Sequence, residues 1–201
     1  MPEAIAVQPP TTLRLNLRPV MELTDERLYL LCQANRELRF ERTAQGELLL
    51  MAPTAGETGQ RNATLTQHLA NWADIDGSGL VFDSSTGFVL PNGAMRSPDA
   101  AWLRHSRWES LRLDQKQTFL PLCPDFVIEL RSGTDSLQAL QDKLQEYLQN
   151  GALLGWLIDP PYRRVYVSRP GMPVKCLEKV NAISGDPELP GFVLDLSQVW
   201  D

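Results

Sequence analysis

Two acidic side chains and one lysine are placed as a hydrolytic site would need them. Asp99 follows Pro98 at the head of an apolar run, Glu129 lies inside Phe126-Val127-Ile128-Glu129-Leu130, and Lys143 follows in a helical pattern. A carboxylate inside a buried strand is unfavourable unless it is paired or coordinates a metal. A divalent cation needs two or more oxygen ligands and takes water and phosphate for the rest. Carboxylates on neighbouring strands could supply those oxygens. A lysine beside them can orient an attacking water or stabilise a charged transition state. Such a set suits phosphodiester hydrolysis.

Each residue also has a plainer explanation. Asp99 fits a turn residue opening a strand. Glu129 shares a strand face with Arg131, two residues on, and the two could pair. Lys143, counted at 100° per residue, falls at the edge of the Leu140, Leu144, Tyr147 stripe. From there it could reach back toward Glu129, snorkel along the surface, or pair with Glu146 or Asp142. Glu57 opens a second helix, where a negative charge is favourable for any helix.

The elements that would hold these residues can be read in order. The first twenty residues, with Pro2, Pro9, Pro10 and Pro19, read as an extended leader, partly disordered, ahead of one domain over 21–201. They carry no basic segment of a signal peptide. Thr24 caps a helix to about Asn35. Leu38 to Thr43 and Glu47 to Met51 form a hairpin, with Gly46 supplying positive φ. A helix runs from Glu57 or Thr58 to Trp72, with Ala63, Leu65, Leu69 and Trp72 on its apolar side, before a loop at 74–79. Two short strands follow, and then one from Arg96 to Leu103. Phe126 to Leu130 is apolar on both faces, as a central strand should be. Ser136 to Asn150 is an amphipathic helix closed by Gly151. Leu153 to Ile158 is a second buried strand, with Val165 to Val167 in an edge hairpin after it. The tail from Leu189 to Trp200 docks back on the body. Strand, helix and strand over 125–158 form a βαβ unit, whereas the hairpins give antiparallel pairs. The fold class is therefore mixed α/β, a mixed central sheet flanked by helices, with an N-terminal helix and hairpin as an extension.

Composition narrows the function classes. The chain has 201 residues, a net charge of −6 and 43% hydrophobic residues, so it can build a full core. That charge argues against a protein living on non-specific duplex binding, so a basic surface would have to be local. Cys32, Cys123 and Cys176 are scattered, which fits a reducing cytoplasm and excludes a disulfide framework. Two histidines exclude most zinc clusters. No stretch is long and apolar enough for a membrane span.

Four segments in this order carry a resemblance: Gly46 to Gly59, with Ala52-Pro53-Thr54-Ala55-Gly56-Glu57; Ser97-Pro98-Asp99; Pro124-Asp125-Phe126-Val127-Ile128-Glu129-Leu130-Arg131-Ser132; and Lys143, Tyr147, Gly151 with Trp156-Leu157-Ile158-Asp159-Pro160. With Leu189-Pro190-Gly191-Phe192 they resemble the Uma family of endonucleases over roughly residues 22–200. This is a bacterial group of mostly uncharacterised proteins, formerly a domain of unknown function, in the restriction-endonuclease-like PD-(D/E)XK superfamily. The resemblance implies a restriction-endonuclease-like core and Mg2+ or Mn2+ as cofactor. It makes Asp99 the first acid and Glu129-Leu130-Arg131 the (D/E)-x-K strand. Arginine stands where the pattern has lysine, and arginine cannot act as a base. Lys143 on the helix matches the displaced lysine, and Glu57 an additional helix-borne acid.

Two functions follow as expectations. In the first, the chain is a metal-dependent nuclease acting on DNA rather than RNA, with Asp99, Glu129 and Glu57 as ligands and Lys143 near the nucleophile. Arg131 and Tyr147 would support the site, and Arg96, Arg104 and Arg107 would contact phosphate. In the second, the same fold is an inactive binding or assembly module, such as a homodimer, with Glu129 and Arg131 in a structural ion pair.

Overall fold

A computed structural model describes residues 12–200. The first half contains strand β1 (Leu13–Leu15), helix α1 (Asp25–Ala34), β2 (Arg39–Arg42), β3 (Leu48–Met51), the long helix α2 (Gly56–Asp76), β4 (Gly79–Asp83), β5 (Phe88–Val89), β6 (Met95–Arg96) and β7 (Ala100–Arg104). The second half contains α3 (His105–Glu109), α4 (Leu113–Lys116), β8 (Phe126–Leu130), α5 (Leu137–Gln149), β9 (Leu154–Asp159), a 3-10 turn (Pro160–Tyr162), β10 (Arg164–Ser168), β11 (Lys175–Glu178), β12 (Ala182–Ser184), β13 (Val193–Asp195) and α6 (Ser197–Trp200). The extended leader expected over residues 1–20 lies outside the described residues as far as residue 11. Within it, β1 pairs antiparallel with β3.

The central sheet has six strands in the order β11-β10-β9-β8-β7-β4. Only β8 and β9 run parallel, joined through α5, and the other pairs are antiparallel. The expected mixed sheet with helices on both faces is therefore present. Alternation along β8 explains how the faces are filled. Phe126, Ile128 and Leu130 pack with Leu65 and Leu69 of α2, together with Trp156, Phe192 and Trp200. Val127 points the other way, into Leu144, Tyr147 and Leu148 of α5. Glu129 shares Val127's face, so a carboxylate stands where the apolar layer under α5 would continue.

The second sheet has the order β1-β3-β2-β6-β5. The helix and hairpin expected as an N-terminal extension belong to it. Buried Arg42 pins them together: its guanidinium binds Asp25 at the start of α1, donates to Leu23 O at 2.7 Å, and donates to Gly93 O at 2.8 Å and 3.1 Å. Thr24 caps α1 as expected, accepting from Arg27 N at 3.3 Å.

Four expectations change. The strand read from Arg96 to Leu103 is two strands, because Pro98 lacks an N–H and cannot continue a ladder. β6 stays in the smaller sheet and β7 lies in the larger one beside β4, so Ser97-Pro98-Asp99 is the passage between sheets. Helix α2 continues to Asp76 and ends on Gly77 at φ 69°, so the loop begins later than its polar composition suggests. Ala63 is exposed, and the inward face of α2 is Asn62, Leu65, Leu69 and Ala73. The hairpin after β9 is interior on one side: β10 pairs with both β9 and β11, and β11 forms the edge. The tail docks as expected, with Phe192 stacked on Trp156 at 5.6 Å between ring centres.

Candidate active site

The site forms where the two sheets meet the N-terminal half of α5. In β7–β8 pairing, Ala100 is opposite Ile128, so Asp99 stands one step beyond, beside Glu129. With β7 not yet begun, the Asp99 carboxylate takes the place of a backbone acceptor. Its Oδ2 accepts from Leu130 N at 2.8 Å and its Oδ1 from Asn62 Nδ2 at 2.8 Å. Burial pushes the Asp99 carboxyl up, against these two hydrogen bonds and the nearby Lys143 charge.

Lys143 reaches in from α5. Its Nζ lies 2.9 Å from Glu129 Oε1 and donates to Oε2 at 3.1 Å. On its other side it lies 2.8 Å from Glu41 Oε1. Burial alone would favour the neutral amine, but the Glu129 and Glu41 carboxylates hold the ammonium charged. Burial raises the Glu129 carboxyl to about 7; Lys143 opposes the rise, and the negative Asp99 and Glu41 add to it. Burial would also raise Glu41, yet Lys143 and Arg96 outweigh it and hold that carboxyl at about 2.

Sequence reasoning missed Glu41 and Asn62. Glu41 is 2% exposed on β2, and besides Lys143 it accepts from Arg96 Nη1 at 3.0 Å and Ser97 N at 3.1 Å. In a hairpin a charged residue reads as solvent-facing, and only the meeting of β2 with Arg96, Ser97 and Lys143 of α5 buries this one. Asn62 was legible in principle: it falls at i−3 and i−7 from Leu65 and Leu69, a polar residue on a buried stripe.

The expected residues separate into groups. Asp99, Glu129 and Lys143 converge. Tyr147 lies beneath them, its hydroxyl buried without a hydrogen bond and its ring 5.9 Å from Lys143 Nζ. Arg96, read as a phosphate contact, bridges Glu41 and Glu146, at 2.6 Å to the latter. Arg131 turns away from Glu129 and pairs with buried Asp159 at 3.1 Å, so the Glu129–Arg131 pair does not form. Arg104 and Arg107 sit at the far end of β7, roughly 14 Å along the strand from its start at 3.4 Å per residue, and Arg107 pairs with Asp125 there at 3.2 Å. Glu57 is also apart. Its side chain is 69% exposed and pairs with Arg61 at 2.8 Å. Five residues along a helix rotate Asn62 by roughly 140° from Glu57, so the two cannot share a face.

The residues present fit a divalent cation. Asp99 and Glu129 are hard oxygen donors. Asn62 Oδ1 is buried without a hydrogen-bond partner, and Glu129 Oε1, equally buried, has only the Lys143 ammonium beside it. Asp99, Glu129, Glu41 and Glu146 face three cations, Lys143, Arg96 and Arg39, an excess of negative charge that a divalent ion would offset. No group of three or more His, Cys, Asp or Glu among the described residues could hold a metal by itself. Two carboxylates with water and phosphate completing the shell is how Mg2+ is commonly held. A cleft of about 640 Å3 between α5 and the smaller sheet reaches Glu41, Arg96, Lys143 and Glu146, with Leu49 and Met51 in its walls, and Asp99 and Glu129 lie behind this lining.

The sequence model of one family, described as "Uma2: Putative restriction endonuclease", matches residues 25–197. The chain belongs to the Uma2 family. The match takes in every element that builds the site, from the start of α1 to α6. No curated protein matches this Uma2 chain. Among solved structures it is similar to one described as a putative nuclease belonging to DUF820 from Anabaena variabilis. The TM-score is 0.69 at 16% identity, over 80% of this chain and 89% of that one. That likeness is one of fold, consistent with a restriction-endonuclease-like core. No helix among the described residues is long and apolar enough to cross a membrane.

Proposed function

We propose that the chain is a divalent-metal-dependent nuclease that hydrolyses phosphodiester bonds of DNA, with Mg2+ or Mn2+ held by Asp99 and Glu129. The supporting observation is that Lys143, though carried on a helix, places its ammonium 2.9 Å from Glu129. That distance supports reading Lys143 of α5 as the counterpart of the lysine missing from the strand. The description of the Uma2 family favours DNA over RNA. Three free cysteines suit a reducing cytoplasm.

When bound, the cation supplies Lewis-acid polarisation of the phosphodiester and neutralises part of its charge. Asn62 and the Leu130 amide fix the Asp99 carboxylate so that it meets the ion in one orientation. Lys143 stays protonated between Glu129 and Glu41, so it acts as a fixed positive charge, orienting water by donation and stabilising the developing phosphorane charge. Glu41, held by Arg96 and the Ser97 amide, keeps Lys143 in place, and Glu146 holds Arg96 in turn.

Purified protein is expected to nick DNA with Mg2+ or Mn2+ and to stop when the metal is chelated. Glu129→Ala should abolish cleavage; undiminished cleavage by that variant overturns the assignment. One observation favours the inactive-module reading: Lys143 already has carboxylates on both sides. Calorimetric titration with Mn2+ separates the two. A binding signal lost in Asp99→Asn supports the nuclease, and no binding by the wild type supports the module.

A further inference from the structure

A second cleft, of about 510 Å3, opens beside the first. It lies between the start of α2, the β8–α5 loop and the β9–β10 turn. The β8–α5 loop is the ridge between them: Arg131, Ser132 and Gly133 line this cleft, and Thr134, Asp135 and Ser136 line the Lys143 cleft. Both therefore adjoin the end of β8 that carries Glu129. Asn62, which binds Asp99, directly follows Arg61 of the second cleft.

The chemistry of this cleft is opposite to that of the whole chain. On a protein of net charge −6, its walls bring together Arg61, Arg131, Arg163 and Lys179, with Glu57 bound to Arg61 at 2.8 Å and buried Asp159 bound to Arg131 at 3.1 Å. At its rim Tyr162 is 59% exposed. The Cζ atoms of Arg131 and Arg164 lie 5.6 Å and 5.7 Å from its ring centre. Both guanidinium groups are ion-paired, Arg131 with Asp159 at 3.1 Å and Arg164 with Glu178 at 2.9 Å, so they hold the ring in place and leave its exposed part as a surface on which an unpaired base can stack.

The backbone is also unusual here. Arg163 and Lys179, at φ 48° and 54°, are the non-glycine residues with positive φ among those described. Both line this cleft, and Lys179 N donates to Arg163 O at 2.8 Å. Left-handed backbone is unfavourable for a side chain with a Cβ and persists where the surroundings demand it. Glycine would fit this backbone at either position without a Cβ penalty.

We propose that this cleft binds single-stranded DNA, with Tyr162 stacking on one unpaired base and Arg163 and Lys179 contacting the adjoining phosphates. The proposal rests on the nuclease reading for the identity of its ligand, and it adds that the site acts on unpaired or locally opened strands.

The test is fluorescence anisotropy of a labelled single-stranded oligonucleotide with full-length protein in chelator, so that cleavage does not intervene. Tyr162→Ala is expected to weaken binding about tenfold. Tyr162→Phe should bind like the wild type, because the ring remains. Arg163→Gly and Lys179→Gly relax the backbone and so should not unfold the protein. Each should weaken binding and lower the salt dependence by about one phosphate contact. Glu129→Ala should bind normally. Binding that is unchanged in Tyr162→Ala and Lys179→Gly overturns the proposal, as does preference for duplex DNA or for RNA of the same sequence. Wild-type binding without cleavage under any divalent metal removes the nuclease reading while supporting this cleft as a binding site.

Discussion

Glu41→Gln is the sharpest probe of the buried charge network. Its carboxyl is held at about 2 against an ordinary 4.5, and the residue is 2% exposed, so screening by water is small. A tenfold change in proton affinity corresponds to about 1.4 kcal/mol, which makes the charged form better stabilised in the folded protein by about 3 kcal/mol. Because the folded value is lowered, this stability is present above pH 4.5 and disappears as pH falls toward 2. Glu129 has the opposite sign. Its carboxyl is raised to about 7, so its contribution is present below pH 4.5 and is lost as pH rises through 7. Wild-type stability should therefore climb between pH 2 and 4.5 and decline between 4.5 and 7, as far as these two groups govern it. In Glu41→Gln the climb should vanish. The decline should shrink too, because Lys143 then serves Glu129 alone and a repelling charge is gone. At pH 7 the variant should lose about 3 kcal/mol, or roughly 6–12 °C in melting temperature for a chain of this size. Urea unfolding followed by tryptophan fluorescence across pH measures both effects. A variant within about 0.5 kcal/mol of wild type at pH 7, or a deficit that does not change between pH 2 and 5, would refute the reasoning.

Other substitutions test the geometry separately. Asn62→Ala removes the donor to Asp99 Oδ1 and should cost about 1.5–3 kcal/mol and weaken Mn2+ binding by calorimetry. Glu57→Gln disrupts a helix pair between an exposed carboxylate and a largely buried guanidinium; it should cost about 0.3–1 kcal/mol and leave Mn2+ binding unchanged. In Gly155→Ala the new Cβ would meet Leu144 Cδ1 at 2.6 Å. Pushing α5 outward should cost about 1–3 kcal/mol in urea unfolding and reduce cleavage by displacing Lys143. Arg104→Ala, at the far end of β7, should leave the cleavage rate at the wild-type value in a nicking assay.

Local chemistry decided much of this protein without any knowledge of its fold. Leu144, Tyr147 and Leu148 set one face of α5, Thr24 and Ser136 cap helices, and the uninterrupted run Phe126 to Leu130 marks a strand buried on both faces. A carboxylate in such a strand and a lysine at the edge of the next helix's apolar stripe are local signals, so Glu129 and Lys143 could be singled out by pattern alone. What the pattern could not supply was the meeting of distant segments. Glu41 is an ordinary hairpin glutamate until the chain passes between the sheets at Pro98 and brings Arg96, Ser97 and Lys143 against it. Arg131 shares Glu129's side of an ideal strand, but β8 ends at Leu130, which frees its side chain to turn to Asp159. Glu57 and Asn62 lie within two turns of one helix, and the angle between them gives one to solvent and the other to Asp99. Period and propensity act over a few residues and are written in the chain. Burial of a charge depends on which surfaces close over it, and only the tertiary structure decides that.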